Sequence, residues 1–233
     1  MTSSTSKTGK LSKKEQIRTK RRKRQRRNQF AIIGAVTLVA IAIAAILIVQ
    51  NKPVSSANFN RPQVYTRSQT NGTYAGDPNA PVKVEEFGDF NCIHCENFWQ
   101  TSEAQLLNSY VNTGKVYFHY VPMSFISATS ATAAEAAYCA MDQDKFFEFH
   151  DYIFANYGVG LSDSLLQAFA SDLGLDMNQF NSCYSSNKYA NQVAQDEQYA
   201  SSKGVTGTPT FDVNGTLVGQ DSLFTQIDSV LGE

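Results

Sequence analysis

Phe30 to Val49, FAIIGAVTLVAIAIAAILIV, contains no charge, and Thr37 is its one polar side chain. At about 1.5 Å of rise per residue, a helix over these 20 residues is roughly 30 Å long, which matches the hydrocarbon core of a bilayer. A core helix would not be apolar on every side while adjoining a dense charge cluster. A cleaved signal peptide, with Ser55-Ser56-Ala57 as its small-residue site, would carry a shorter apolar region of about 7–15 residues. The stretch is therefore read as a single uncleaved transmembrane helix over residues 30–49.

Charge sets its orientation. Residues 1–29 hold 12 Lys or Arg and one acid, and the other 204 residues hold 8 basic and 20 acidic side chains. The net charge of −1 is thus +11 in one tail and −12 elsewhere. Lys20 to Arg24, with Arg26 and Arg27, lies just before the span, and the positive-inside rule keeps such a cluster in the cytoplasm. The expected topology is a single-pass cell-membrane protein with a basic cytoplasmic tail (1–29) and an extracytoplasmic C-terminal domain. A uniformly basic nucleic-acid-binding protein is excluded, so no nucleic-acid partner is expected.

Residues 50–75 are polar and broken by Pro53 and Pro62, and they read as a spacer. Residues 76–233 are read as the folded domain. Val82, Val84 and Glu86 alternate with Lys83, Glu85 and Phe87 as a strand. A helix carrying Phe98, Leu106 and Val111 should follow and end near Gly114. A second strand, Val116 to Val121, should stop at Pro122. From about 127 to 203 the period is helical, in segments at Ala131–Met141, Phe146–Tyr157, Leu165–Leu173 and one long stretch from Met177 to Tyr199. Thr210–Val213 and Thr216–Val218 flank Asn214-Gly215 as a hairpin, and Leu223–Leu231 closes as a helix. The class is α/β with a helical insertion.

Cys92-Ile93-His94-Cys95 sits between the first strand and its helix. There the first sulfur lies at a helix N-terminus, where unpaired N–H groups and the positive dipole end stabilise a thiolate. The second sulfur lies one turn in, close enough to form a disulfide. His94 can add a donor or a positive charge, which would lower the thiol pKa and make the disulfide a stronger oxidant. Zinc would need a second ligand pair, but His94, His119 and His150 are scattered singly. No metal or cofactor is expected. An inert structural disulfide is the other alternative, and the strand-to-helix position argues against it.

Four segments carry a family resemblance: Gly76-Asp77-Pro78-Asn79-Ala80-Pro81, Glu86-Phe87-Gly88-Asp89-Phe90-Asn91-Cys92-Ile93-His94-Cys95, Ala136-Ala137-Tyr138-Cys139 and Gly204-Val205-Thr206-Gly207-Thr208-Pro209. Together they resemble the thioredoxin-like thiol–disulfide oxidoreductases of the DsbA type, in particular the membrane-anchored bacterial branch. The resemblance implies a thioredoxin-like fold, Cys92 as nucleophile, Cys95 as resolving thiol, and a cis Thr208-Pro209 peptide facing the disulfide on the substrate side. It matches Glu86 to a buried acid that relays protons near the second cysteine; an ordinary strand-end carboxylate is the alternative. It implies reduced exported proteins as substrates and a quinone-linked membrane partner as reoxidant. Ile93 departs from the proline often found there in the strongest oxidants of the family.

Cys139 and Cys183 fall in different helices of the insertion. In an oxidising compartment the leftover pair most simply bonds together, with two buried free thiols as the alternative. The aromatic helix around Phe146, Phe147, Phe149 and Phe154 is expected in the core, and Asp142, Asp144, Glu148 and Asp151 on a solvated face. The function expected is a membrane-tethered disulfide oxidase acting outside the cytoplasm. A reductase or isomerase, and a non-catalytic tethered binding module, are the competing readings.

Overall fold

The structure, a computed structural model, describes residues 59–63 and 65–233, and in the N-terminal part positions 21–23, 26, 28–30, 33–34, 36–38 and 40–41, which are helical. No helix among the described residues is long and apolar enough to cross a membrane. Much of the span expected over 30–49, most of the 1–29 tail and residues 50–58 lie outside the described residues.

The C-terminal unit is built on a five-stranded sheet of order β1-β3-β2-β4-β5: β1 Tyr74–Ala75, β2 Val82–Asp89, β3 Val116–Met123, β4 Thr210–Val213 and β5 Thr216–Val218. Strands β2 and β3 are parallel, and the other pairs are antiparallel. The parallel pair is joined by α1 (Ile93–Thr101) and α2 (Glu103–Leu106), the latter running on as a π-helical turn at Leu107–Val111. The insertion holds α3 (Ala128–Met141), α4 (Phe146–Ala155), α5 (Asp163–Asp172), α6 (Met177–Ser185) and α7 (Ala190–Lys203), and α8 (Leu223–Leu231) ends the chain. The α/β class with a helical insertion is as the sequence predicts.

Period-2 patterning gives the sheet two different faces. Val84 and Glu86 of β2 align with Phe118 and Tyr120 of β3, and Glu86 also pairs with Phe211 of β4. That face lies beneath α1 and α4: the Phe98 and Phe211 rings are 4.7 Å apart, and Tyr120 meets His150 at 4.6 Å. On the other face Phe87, Val121 and Met123 pack with Ala200 of α7. At the hairpin, Asn214 and Gly215 both take positive φ (48° and 91°), the geometry that lets a two-residue turn follow strand twist.

Several boundaries differ from the sequence expectation. Pro122 does not stop β3, which runs to Met123. Tyr120 N–H donates to Thr73 on the β1 side, so the N–H missing at Pro122 would face the same side, two residues on, opposite chain that precedes the first residue of the antiparallel β1. Proline therefore removes no ladder bond. The helix after Cys95 is interrupted at Ser102, and the long stretch from Met177 breaks between α6 and α7, where Asn187 is left-handed at φ 51°. Ser185, Ser186 and Asn187 are weak helix formers, and asparagine tolerates that conformation.

The spacer expected over 50–75 is also shorter than read. Phe59 packs on Phe169, Tyr74–Ala75 forms β1, and Arg67 is buried against Asp151 and Glu103. Asp151, expected on a solvated face, is buried for the same reason. Cys139 of α3 and Cys183 of α6 are disulfide-bonded, with Cα atoms 5.8 Å apart. Closing the loop between them, a sequence separation of 44, is worth about 4 kcal/mol on the chain-entropy view.

Candidate active site

Strand β2 delivers the chain into α1 through a tight turn. The Asp89 carboxylate accepts from the Asn91 N–H at 2.8 Å and from the Ile126 N–H at 3.1 Å, and the Asp89 carbonyl accepts from the Cys92 N–H at 2.9 Å. These bonds tie the turn to the loop that follows β3. Burial raises the Asp89 carboxyl, against those hydrogen bonds and one from Ser130.

Cys92 is the N-cap residue of α1, in extended conformation at φ −88° and ψ 120°. Its sulfur therefore faces the first, unpaired N–H groups of the helix. Cys95 lies in the first turn, and the two sulfurs are not bonded to each other. The Cys92 thiol donates to the Thr208 carbonyl at 3.2 Å, and the Thr208-Pro209 peptide is cis. A hydrogen bond from Cys95 is the main influence that lowers the Cys92 thiol to about 5; burial opposes it, and the Thr208 side-chain hydroxyl and the Cys95 and His94 backbone N–H groups assist. Burial pushes Cys95 well up, and its hydrogen bond to Cys92 and the Glu86 charge add to this. The pair is thus split into one anionic sulfur and one that keeps its proton.

The predicted site residues occupy different positions around this pair. Cys92, Cys95, Thr208 and Pro209 converge at the end of β2. His94 exposes its imidazole and contributes its backbone N–H to the Cys92 sulfur. Glu86 is buried on the sheet face beneath α1, and burial, then the charge of Glu103, raises its carboxyl well above the ordinary range. Cys139 and Cys183 are joined within the insertion, in helices other than the one carrying Cys92 and Cys95.

Two clusters escaped the sequence reading. The buried Arg67 guanidinium bonds Asp151 at 2.7 and 2.9 Å and Glu103 at 2.6 Å, while Trp99 Nε1 donates to Asp151 at 3.1 Å. Glu103, His150 and Asp151 have metal-ligand chemistry, but the cation bound to both carboxylates is Arg67. On the opposite sheet face, burial would raise Glu85, but hydrogen bonds from His119, Lys203 and Tyr199 outweigh it and bring its carboxyl down to about 2. Neither cluster has a sequence signature, because each joins residues distant along the chain.

Folding lowers the Cys92 pKa, so the thiolate stabilises the reduced domain. That contribution is fully present above the ordinary thiol value and is lost as pH falls through about 5. Alkylation of the reduced protein should accordingly titrate with a midpoint near pH 5. The check is the iodoacetamide rate followed from acid to about pH 9, and a midpoint near the free-thiol value of about 8.5 would contradict the geometry.

Comparison with known proteins follows the same lines. Residues 68–233 match the family profile described as thioredoxin. The chain is 33% identical over 155 residues to the "Probable disulfide bond formation protein D" of Bacillus cereus, covering 63% of this chain and 71% of that protein. It is 36% identical over 140 residues to the Na(+)/H(+) antiporter NhaA 1 of Salinispora arenicola, covering 60% of this chain; it spans only 21% of that relative's length. The fold of oxidised BdbD from Bacillus subtilis superposes with a TM-score of 0.64 at 23% identity, over 75% of this chain and all of that one. On the family match and the Bacillus cereus relative, the chain belongs to the thioredoxin family.

Proposed function

We propose that this chain is a membrane-tethered, extracytoplasmic disulfide oxidase that donates a Cys92–Cys95 disulfide to exported proteins. The observation that carries the direction is the Cys92 thiol lowered to about 5 beside a Cys95 thiol raised by burial. Stabilising the reduced dithiol in this way makes the disulfide easier to reduce, and so a better oxidant. A substrate dithiol would lose two protons and two electrons to form its disulfide, leaving Cys92 and Cys95 reduced. A quinone-class acceptor at the membrane would take the two electrons and two protons back. Exposed Ile93 and Ile126, beside the turn held by Asp89, offer apolar surface to an unfolded substrate chain.

The tether rests on the apolar run 30–49 and the +11 tail before it. The oxidised full-length protein should consume the thiols of a reduced unfolded protein, with a glutathione-equilibrium potential well above thioredoxin's value of about −270 mV. A potential at that value would replace the oxidase reading with a reductase one. Protease added to cells stripped of any outer envelope should digest the C-terminal domain, and full protection would overturn the orientation.

A further inference from the structure

Tyr120 lies at the middle of β3, in register with Glu86 of β2, and its side chain is fully buried. Its ring is fixed among Phe90, Phe146 and His150, at centroid distances of 5.6, 6.0 and 4.6 Å. The ring leans from its position beside Glu86 over Gly88. A Cβ on Gly88 would stand 2.6 Å from the Tyr120 hydroxyl and 2.8 Å from the ring, so glycine is what leaves room for it. That lean carries the hydroxyl along β2 toward the end from which the chain turns into Cys92 and Cys95.

The hydroxyl has no hydrogen-bond partner, although it is buried. A phenylalanine would fill the same space without stranding a polar group, so the oxygen asks for a partner that the resting dithiol does not supply. Burial first, and then the Cys95 and Glu86 groups, push its hydroxyl well above the ordinary range. Glu86, its cross-strand neighbour, is a buried acid with a raised carboxyl. Tyr120 and Glu86 thus stand side by side on the sheet face beneath α1, the helix whose first turn carries the buried Cys95.

We propose that the Tyr120 hydroxyl is a positioning residue that bridges the Glu86 carboxyl and the Cys95 sulfur and directs the proton between them. The proposal rests on disulfide exchange at Cys92–Cys95 and holds for either direction of it. When a substrate thiolate attacks Cys92, the new sulfur–sulfur bond forms, the Cys92–Cys95 bond breaks, and its electron pair leaves on Cys95. The Tyr120 O–H donates to that anionic sulfur, and the Glu86 proton neutralises it through the hydroxyl, leaving Glu86 as carboxylate. On reoxidation the proton returns by the same route, so that Cys95 becomes the thiolate that attacks.

The test is single-turnover opening of the disulfide by a reduced peptide, measured from about pH 5 to 9 on the full-length protein in detergent, across the ordinary carboxyl-to-thiol range. Tyr120→Phe should lower the opening rate about tenfold, with the larger loss on the acid side, where Glu86 still carries its proton. Glu86→Gln should lose a similar factor, and the double variant should be no slower than the worse single, as expected for one shared route. Fluorotyrosine at position 120 keeps the ring and strengthens the acid, and it should shift the pH profile downward. A Tyr120→Phe rate within twofold of the parent at every pH, or losses that multiply in the double variant, would overturn the role of Tyr120. Failure of the parent protein to open at all would instead overturn the exchange reading beneath it.

Discussion

Replacing Cys92 by serine is expected to abolish disulfide transfer, whereas replacing Cys95 should convert the protein into a trap. The Cys92 sulfur sits at the N-cap of α1 with its thiol near pKa 5, so it is the better leaving and attacking sulfur. Cys95 lies one turn inside α1 at 1% exposure, deeper than Cys92 at the N-cap, so an incoming thiolate should form its mixed disulfide through Cys92. Without Cys95 nothing inside the protein resolves that bond. Non-reducing electrophoresis of Cys95→Ser, its Cys92 first charged as a mixed disulfide with thionitrobenzoate, should therefore give a covalent complex with a reduced single-thiol substrate as thionitrobenzoate leaves, and dithiothreitol should release it. No complex should form with Cys92→Ser, and turnover there should fall below detection. A complex that forms through Cys95 when Cys92 is absent would reverse the assigned roles.

Arg67→Met is the substitution with the largest expected effect on stability. Arg67 and its partners Glu103 and Asp151 each expose 3% of their side chains, and the guanidinium also stacks on Phe147 at 4.8 Å. Removing the cation leaves two carboxylates facing each other away from water, a cost of about 3–5 kcal/mol. For a domain of this size that is a melting-temperature loss of roughly 6–20 °C. In the intact protein burial would raise the Asp151 carboxyl, but Arg67 and His150 hold it below the ordinary range. A lowered carboxyl stabilises the fold above its unfolded pKa and loses that contribution as pH falls through the folded one. The difference between parent and variant should thus narrow on acidification, since protonation relieves the variant's stranded acids and weakens the parent's ion pairs. Thermal melts at neutral and acid pH measure both effects. A loss under about 1 kcal/mol would mean that the cluster behaves as a solvated surface pair.

The sequence could reveal what repeats or what combines local chemistry with position. Alternation around Val82 and Val84 marked β2, Asn214-Gly215 marked the hairpin, and the C-x-x-C between strand and helix marked the site. Arg67 could not be read, because one charged residue in the polar stretch 50–75 looks the same whether it ends in water or in a core. Its burial is decided by Glu103 and Asp151, 36 and 84 residues away. Pro122 is not the terminator its residue type predicts, because its effect depends on which side its N–H would face and on where β1 begins. The break at Asn187 was hidden within a helical period that resumes in α7. Tyr120 looked like one more strand aromatic, and the clearance over Gly88 that gives its hydroxyl a direction exists only after β2 and β3 pair.

The Cys139–Cys183 bond gives the molecule two sulfur pairs with separate histories. Once α3 and α6 pack, Cys139 and Cys183 retain 1% and 6% of their exposure. Both sulfurs sit in the last turn of their helices, where the dipole disfavours a thiolate, so the closed bond exchanges far less readily than a pair that begins at a helix N-terminus. A newly made copy thus needs an oxidant of its own before this bond can close. A reductant strong enough for Cys92–Cys95 would then leave the staple intact, so the fold does not depend on the state of the exposed end of α1.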